Sequence, residues 1–349
     1  MQKKKFISII WGYHKQIFTF DRKENYHILP LEAMREEGFE CEIFSIDSSV
    51  VIENDPNFIE GVKVIYYKSF IQYLLFLWKN RNSIIYSNSL TIKTLLVGLI
   101  GNNTIFHAHD QVIPIESKIL KKWIVLFFYR FFSLIRVINP GESSLLSKFG
   151  IKSKVVPLVI SENFFSENQA RSDLVFIGNL YFDKNPEFLL FAMQLLIIKY
   201  PDIKLHIFGE DRYKKNGKDF SCIVKDMGLS NNVIIHGFIP HGQLLKELSL
   251  RMIYINTSIS EGQCLTAYEA ALSGCFLCLQ DILAFPSVFN DNALYHSTYI
   301  ELANNIEYII ENAATLRVSI LNNQKMILSK YNYDYLKGET KNLFLNINS

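Results

Sequence analysis

Between two short apolar runs, Arg251–Thr257 (RMIYINT) and Cys275–Leu279 (CFLCL), the chain has room for one loop and one helix, and this spacing constrains the fold more than any other feature. Both runs have the length and β-branched, apolar character of buried strands. Between them Leu265, Tyr268 and Leu272 recur at helical spacing, and Gly274 stands where a chain leaves a helix in the left-handed conformation. Strand, loop, helix, strand is a right-handed crossover within a parallel sheet. It sets the loop and the helix N-terminus at the carboxyl edge of the strands, where ligands of open α/β folds bind. The backbone N–H groups of Gly262, Gln263, Cys264, Leu265 and Thr266, with the positive end of the helix dipole, suit that edge to a phosphate.

Two carboxylates flank this helix start. Glu261 lies in the loop and Glu269 about two turns into the helix, so they are separated along the axis and fit two hydroxyl-bearing groups of one elongated ligand. A carboxylate accepts two hydroxyl hydrogen bonds at once, as sugar and ribose rings offer them. The pair also reads as a glutamate favoured by the dipole plus a solvated glutamate on a helix face.

The same alternation runs through the chain. Residues 5–10, 40–46, 83–86 and 103–108 read as strands with helices over about 25–37 and 90–100, and a second series covers 173–281. Strands alternating with helices predict an α/β protein with parallel sheets wound on both faces. At 349 residues the chain exceeds what one core supports, so two domains are expected, joined by the Ser-, Asn- and Glu-rich stretch 157–172. A formal net charge of +2 gives no basic excess for nucleic acid. Although 49% of residues are hydrophobic, no charge-free stretch is long enough to cross a bilayer, and the basic start MQKKKFISIIWGYH lacks the features of a signal peptide. A cytoplasmic protein is the expectation. The five cysteines suggest no disulfide scaffold, and Cys275 and Cys278 read as core residues.

Ser260 to Gly274 resembles the E-x(7)-E signature of retaining glycosyltransferases of family 4, the glycosyl transferases group 1 set. Other segments resemble that family in order. Leu174 to Lys184 (LVFIGNLYFDK) is similar to the strand and loop that open its C-terminal domain. Lys204 to Asp211 (KLHIFGED) and Asn232 to Ile239 (NVIIHGFI) are similar to the next two strands, each closed by a glycine. His107-Ala108-His109-Asp110 resembles the His-containing strand end of the N-terminal domain, and Arg136 to Ser144 (RVINPGESS) its last strand. The resemblance is strong over 173–281 and weak before 105. It implies the GT-B fold, two Rossmann-like doubly wound domains facing a central cleft, with residues 1–160 on the acceptor side, 173–325 binding the nucleotide sugar and 326–349 a helical tail crossing back.

The resemblance also implies roles. A sugar would pass from a nucleotide diphosphate sugar to the hydroxyl of a glycan or lipid-linked acceptor in cell-surface polysaccharide or lipopolysaccharide assembly, with retention. Lys184 would compensate the leaving phosphates, Glu261 hold donor-sugar hydroxyls, Glu269 hold the ribose, and Gly237, Phe238 and Ile239 meet the base. Gly12, Gly178, Asn179 and Gly209 complete the implied donor contacts. His109, at a strand end, suits a hydroxyl-binding or charge-stabilising imidazole as well as a core histidine. Lys184 precedes Asn185-Pro186, an N-cap candidate followed by proline, so its ammonium is expected beside a second helix N-terminus, although a lysine there is also ordinary surface. No two aspartates are spaced D-x-D, and neither a catalytic metal nor a cofactor is expected.

Three departures from the family pattern stand out. Asn179 follows Gly178 where the family carries an arginine, leaving His14, Lys15, Arg171 or Arg212 to supply a cation. Gly12 stands singly between Trp11 and Tyr13 where relatives have two glycines, and Cys264 replaces a glycine or proline. Rival readings are a nucleotide-sugar epimerase of similar architecture and a non-catalytic binding protein with a decayed site. A dehydrogenase would need a Gly-x-Gly-x-x-Gly turn after the first strand, which is missing. Taken as one helix, 116–136 places Leu120, Ile124, Phe127, Phe131, Leu134 and Ile135 on an inner apolar face. Lys118, Lys121, Lys122, Tyr129 and Arg136 then form an outer basic one, suited to anionic lipid at the inner face of a cytoplasmic membrane or to solvent.

Overall fold

The computed structural model describes residues 4–10, 27–46, 62–88, 91–108, 119–161, 164, 172–215 and 217–347. Two units divide the chain: Met1–Val159 with Tyr331–Ser349, and Ile160–Lys330.

In the first unit the elements run β1 (Lys5–Ile10), α1 (Ile28–Glu36), β2 (Glu40–Ser45), β3 (Lys63–Tyr66), α2 (Phe70–Lys79), β4 (Ile84–Ser87), α3 (Ile92–Ile100), β5 (Asn103–Ala108), α4 (Ile119–Tyr129), β6 (Leu134–Val137), α5 (Pro140–Ser147) and β7 (Ser153–Val155). They form a seven-stranded sheet in the order β3-β2-β1-β4-β5-β6-β7, paired in parallel throughout. Strands such as β1 are apolar on both faces because helices cover both, the pattern of a doubly wound sheet. Tyr73, Leu77, Leu95, Val125, Leu126 and Tyr129 of the helices between β3 and β6 pack on one face.

The second unit continues with β8 (Ser172–Ile177), a 3-10 turn at Phe182–Lys184, α6 (Pro186–Lys199), β9 (Leu205–Phe208), the two-residue strands β10 (Lys214–Lys215) and β11 (Lys218–Asp219), α7 (Phe220–Asp226) and β12 (Val233–Gly237). There follow α8 (His241–Leu250), β13 (Arg251–Asn256), α9 (Leu265–Leu272), β14 (Phe276–Gln280), α10 (Pro286–Phe289), β15 (Leu294–His296) and α11 (Tyr299–Lys330). A parallel six-stranded sheet results, ordered β12-β9-β8-β13-β14-β15. Its core joins Leu174, Phe176, Leu205, Ile207, Ile253 and Ile255 to α6 and α11. The helix α11 runs through the expected boundary at 325/326 to Lys330, with a kink at Asn312.

After Lys330 the chain belongs to the first unit. There α12 (Tyr333–Leu345) covers the opposite face of the seven-stranded sheet together with α1. Phe344 meets Phe6 edge-on at 4.8 Å, and Lys341 pairs with Glu36 at 2.6 Å while Lys337 pairs with the same carboxylate.

Two local expectations change. Asn185 begins α6 with a left-handed backbone (φ 48°) and no side-chain cap; only Pro186 keeps its expected place at the first helical position. The expected helix over 116–136 stops at Tyr129, and Leu134, Ile135 and Arg136 belong to β6, paired with β5 and β7. Arg136 is fully buried: its guanidinium donates to the carbonyls of Val156 (2.9 Å) and Pro157 (3.0 Å) and to the Tyr86 hydroxyl (3.0 Å), so it holds the sheet edge and faces no solvent. The helix face is also reversed. Val125, Leu126 and Tyr129 point into the core, while Trp123, Ile124, Phe127 and the following Phe131 are exposed. With apolar residues almost all round α4, helical periodicity alone does not select a face.

At the end of β15, His296 is buried, lies 3.7 Å from the Cys278 thiol and packs against the Phe188 ring, tilted to it at 5.6 Å between centroids. Burial lowers its pKa to about 4. The folded state then binds fewer protons than the unfolded state between about pH 4 and 6.5, so stability is retained above this window and lost as pH falls through it. His296→Asn is expected to remove this term. Denaturant unfolding at pH 7 and at pH 4.5 should show the parent losing about 2–3 kcal/mol more than the variant.

Candidate active site

In the second sheet β8 lies between β9 and β13. From β8 the chain winds outward through β9 to β12 on one side, and from β13 through β14 to β15 on the other. The loops after β8 and β13 therefore part at the carboxyl edge and leave a crevice, the switch point at which open α/β sheets bind ligands. Lys184 follows β8, and Glu261 follows β13.

Their side chains meet. The Lys184 ammonium donates to Glu261 Oε1 at 2.6 Å, with both side chains less than one quarter exposed (24% and 13%). The two loops are also tied through backbone: Thr257 Oγ1 donates to the Lys184 carbonyl (2.8 Å) and the Ile259 N–H to the Asp183 carbonyl (2.9 Å). Burial pulls the Lys184 pKa down, but the adjacent Glu261 carboxylate outweighs it and the net shift is upward, so the ammonium stays charged. A fixed positive charge is thus held at the crevice beside the N-terminus of α9.

That N-terminus is reached through an unusual residue. Cys264 stands at the N-cap position with φ 55°, in the left-handed region that favours glycine. Its thiol lies 3.4 Å from Asn256 Nδ2 and 3.6 Å from the Tyr254 hydroxyl, which in turn is 2.8 Å from Thr266 Oγ1. Burial first, and then the charge of Glu261, raise the Cys264 pKa to about 12; the thiol is not a nucleophile near neutral pH. Leu265 and Thr266 open α9, where N–H groups have no carbonyl a turn earlier in the helix.

Gly178, Gly209 and Gly237 end β8, β9 and β12 side by side: the Gly178 N–H reaches the Phe208 carbonyl and the Gly209 N–H the Gly237 carbonyl, each at 2.9 Å. Phe238, next in sequence, is 74% exposed. Ile239 follows it at the same edge. Asn179 accepts the Glu210 N–H on its side-chain oxygen (2.9 Å) and so braces the neighbouring loop. Arg212 on that loop donates to the Tyr181 hydroxyl (2.7 Å) and pairs with Glu210.

Further along α9, Glu269 is largely buried and binds His241 Nε2 at 2.8 Å. Sequence reasoning missed His241, the first residue of α8, because the partnership depends on how α8 packs against α9. It also missed Asn256 and Tyr254, which look like ordinary strand residues. Gly262 and Gln263 lie in the loop before α9. Gly12 and His109, with His14, Lys15 and Arg171, lie outside the described residues. Among the described residues there is no group of three or more His, Cys, Asp or Glu that could hold a metal ion, and no helix long and apolar enough to cross a membrane.

Over residues 160–326 the chain matches the family model described as glycosyl transferases group 1. A curated relative, the tRNA-queuosine alpha-mannosyltransferase of Drosophila melanogaster, is 28% identical over 116 residues, which are 33% of this chain and only 30% of the relative's length. The structure of Anabaena HepE in complex with UDP superposes with a TM-score of 0.75 at 14% identity, covering 98% of this chain and 100% of that one; HepE is also known in complex with UDP-glucose. Sucrose-phosphate synthase from Thermosynechococcus elongatus superposes with a TM-score of 0.73 at 17% identity, covering 99% of each chain. The chain therefore has the GT-B fold, two parallel-sheet α/β domains, with the glycosyl transferases group 1 pattern spanning its second unit.

Proposed function

We propose that the protein is a glycosyltransferase that moves a hexose from a UDP- or GDP-linked donor to an acceptor hydroxyl. The observation that carries this reading is the Lys184–Glu261 contact at the switch point of the second sheet, within the stretch that matches the group 1 family. Breaking an anomeric bond builds positive charge on the sugar ring and negative charge on the leaving diphosphate. Lys184 and the first amides of α9 supply fixed positive potential for the phosphates. On donor binding the ammonium exchanges Glu261 for phosphate, which frees the carboxylate to accept sugar hydroxyls; Glu269, oriented by His241, takes the ribose. Transfer without a metal follows from this reading, because protein groups provide the compensating charge. Retention and membership of family 4 rest on the resemblance of the Glu261 to Glu269 segment. A role in cell-surface polysaccharide or lipopolysaccharide assembly, in the cytoplasm on a glycan or lipid-linked acceptor, is part of the same proposal, as are His109 and Gly12 as site residues.

The exposed ring of Phe238 suits a nucleobase stacked against it. Phe238→Ala is expected to raise the donor KM about tenfold, with kcat and thermal midpoint unchanged, since base–aromatic stacking contributes about 1–3 kcal/mol. To test the function itself, UDP-, GDP- and ADP-sugars are incubated with the protein, and free nucleoside diphosphate and sugar identity are followed. Release of the diphosphate supports transfer. Interconversion of the donor with no acceptor present supports an epimerase, and inertness towards every donor supports a binding protein.

A further inference from the structure

The strand β12 does not run evenly beside β9. Ile235 pairs with Ile207 and Gly237 with the next residue, Phe208, so His236 is an extra residue in one strand of the pair, a bulge. A bulged residue is left out of the hydrogen-bond ladder, and bulges beside active sites re-aim the side chains that follow. Here Gly237 and Phe238 follow, at the carboxyl edge of the sheet. Gly237 has φ +75° and no atom within 4 Å of an added Cβ, so its own backbone restrains the segment little.

The side chain of His236 supplies the restraint. Its ring lies on Phe208, 4.4 Å between centroids and 9° from parallel, and its Nε2 is 2.9 Å from Nδ1 of buried His206, two residues before Phe208 on β9. The charged groups facing the pair are the Asp173 carboxylate of β8, 3.7 Å from Nε2 of His206, and the ion pair between Glu247 of α8 and Arg251 of β13. Lys204 of β9 turns its ammonium to the Asn231 carbonyl instead, at 2.8 Å. The Asp173 carboxylate favours a proton on Nε2 of His206, which leaves Nδ1 to accept the His236 Nε2–H. The bond survives uptake of one proton by the pair, because an N–H still faces a lone pair. A second proton sets two N–H groups against each other. Removal from water, the largest cause at both rings, holds both pKa values below the usual imidazole value, so the bond is intact at neutral pH and lost in acid.

We propose that His236 is a positioning residue for the donor base: bonded to His206 and stacked on Phe208, it fixes the bulge in β12 and so the direction in which the Phe238 ring is presented. This role rests on the proposed function, in which Phe238 meets the base.

Calorimetric binding of UDP, GDP and ADP to the full chain tests it. His236→Phe keeps a ring on Phe208 and removes the hydrogen bond; for whichever diphosphate the parent binds at about pH 7.5, it is expected to weaken affinity about fivefold, within the range of base–aromatic stacking. His236→Gln is expected to stay within about twofold of the parent, because its amide offers a donor or an acceptor as His206 requires. In a Phe238→Ala background His236→Phe is expected to add less than about twofold, since it acts through the ring already removed. At about pH 5 the parent is expected to bind about threefold or more weakly than His236→Gln, which has no second imidazole to protonate. Titration of the nucleotide's own phosphate cancels in that comparison. His236 is exposed, so both variants are expected to fold, and binding is read well below each thermal midpoint. Undiminished binding by His236→Phe, the same loss repeated in the Phe238→Ala background, or identical pH profiles of the parent and His236→Gln would each overturn the positioning role and leave the proposed function standing. Failure of the parent to bind any of the three diphosphates would overturn both.

Discussion

Lys184→Met is expected to slow sugar transfer by about a hundred- to a thousandfold, the loss seen when one preorganised group facing transition-state charge is removed. Lys184 is held at the crevice by Glu261 at 2.6 Å and by backbone contacts between the loops after β8 and β13. Solvent cannot easily replace a charge at a largely buried site. A second effect accompanies the first: without the ammonium, Glu261 keeps, among the described residues, the Asn256 amide at 3.5 Å, and the unfolding free energy is expected to drop by about 1–3 kcal/mol. The two effects separate in a double-mutant cycle. Adding Glu261→Gln to Lys184→Met removes the stranded charge, so stability is expected to recover by about 1 kcal/mol or more while transfer stays slow. Recovery of both rate and stability would reduce the pair to a structural ion pair. Rates are read well below the thermal midpoint of each variant by quantifying released nucleoside diphosphate.

Gly209→Ala is expected to be far more damaging than Gly237→Ala at the neighbouring strand end. A Cβ at Gly209 would stand 2.2 Å from the Gly178 carbonyl oxygen and 2.9 Å from the Asn179 nitrogen, on a backbone with φ +142°. Both obstacles are main-chain atoms of the adjacent strand end, which a rotamer change cannot relieve. Separation of β8 from β9 at the site is the only escape. The expected cost is about 3 kcal/mol or more, a fall of roughly 6–12 °C in thermal midpoint for a unit of this size. Gly237→Ala is the control. It also has a positive φ, +75°, but no atom lies within 4 Å of its added Cβ, so only the backbone term of about 1–2 kcal/mol applies. Equal effects of the two substitutions in thermal unfolding would contradict the packing account.

Much of the fold is legible along the chain because buried parallel strands announce themselves as short apolar runs. The expected strand 5–10 is β1, 103–108 is β5, and Arg251–Thr257 differs from β13 by one residue. The approach of Lys184 to Glu261 is legible for a related reason: crossover topology sends the ends of β8 and β13 to one edge, wherever their residues lie in sequence. Pattern fails where it has no contrast. In α4 apolar residues occur on nearly every side, so the count over 116–136 takes in three strand residues, Leu134, Ile135 and Arg136, and turns the helix over. Arg136 looks like a surface cation in sequence; only the carbonyls of Val156 and Pro157, brought near by tertiary packing, make it a core residue. The left-handed backbone at Cys264 and the bond from His241 to Glu269 likewise depend on neighbours distant in sequence, and no local preference encodes them.

The central claim is that the Lys184 ammonium leaves Glu261 for the phosphates of a nucleoside diphosphate. Thermal stabilisation of the full chain by UDP, UMP and uridine, and by the corresponding guanosine and adenosine series, tests it most directly, because a ligand that binds only the folded state raises the midpoint in proportion to its affinity. For one base the diphosphate is expected to stabilise well beyond the monophosphate and nucleoside, and Lys184→Met is expected to abolish that difference. Equal stabilisation by diphosphate, monophosphate and nucleoside, or a diphosphate preference that survives Lys184→Met, would contradict the account.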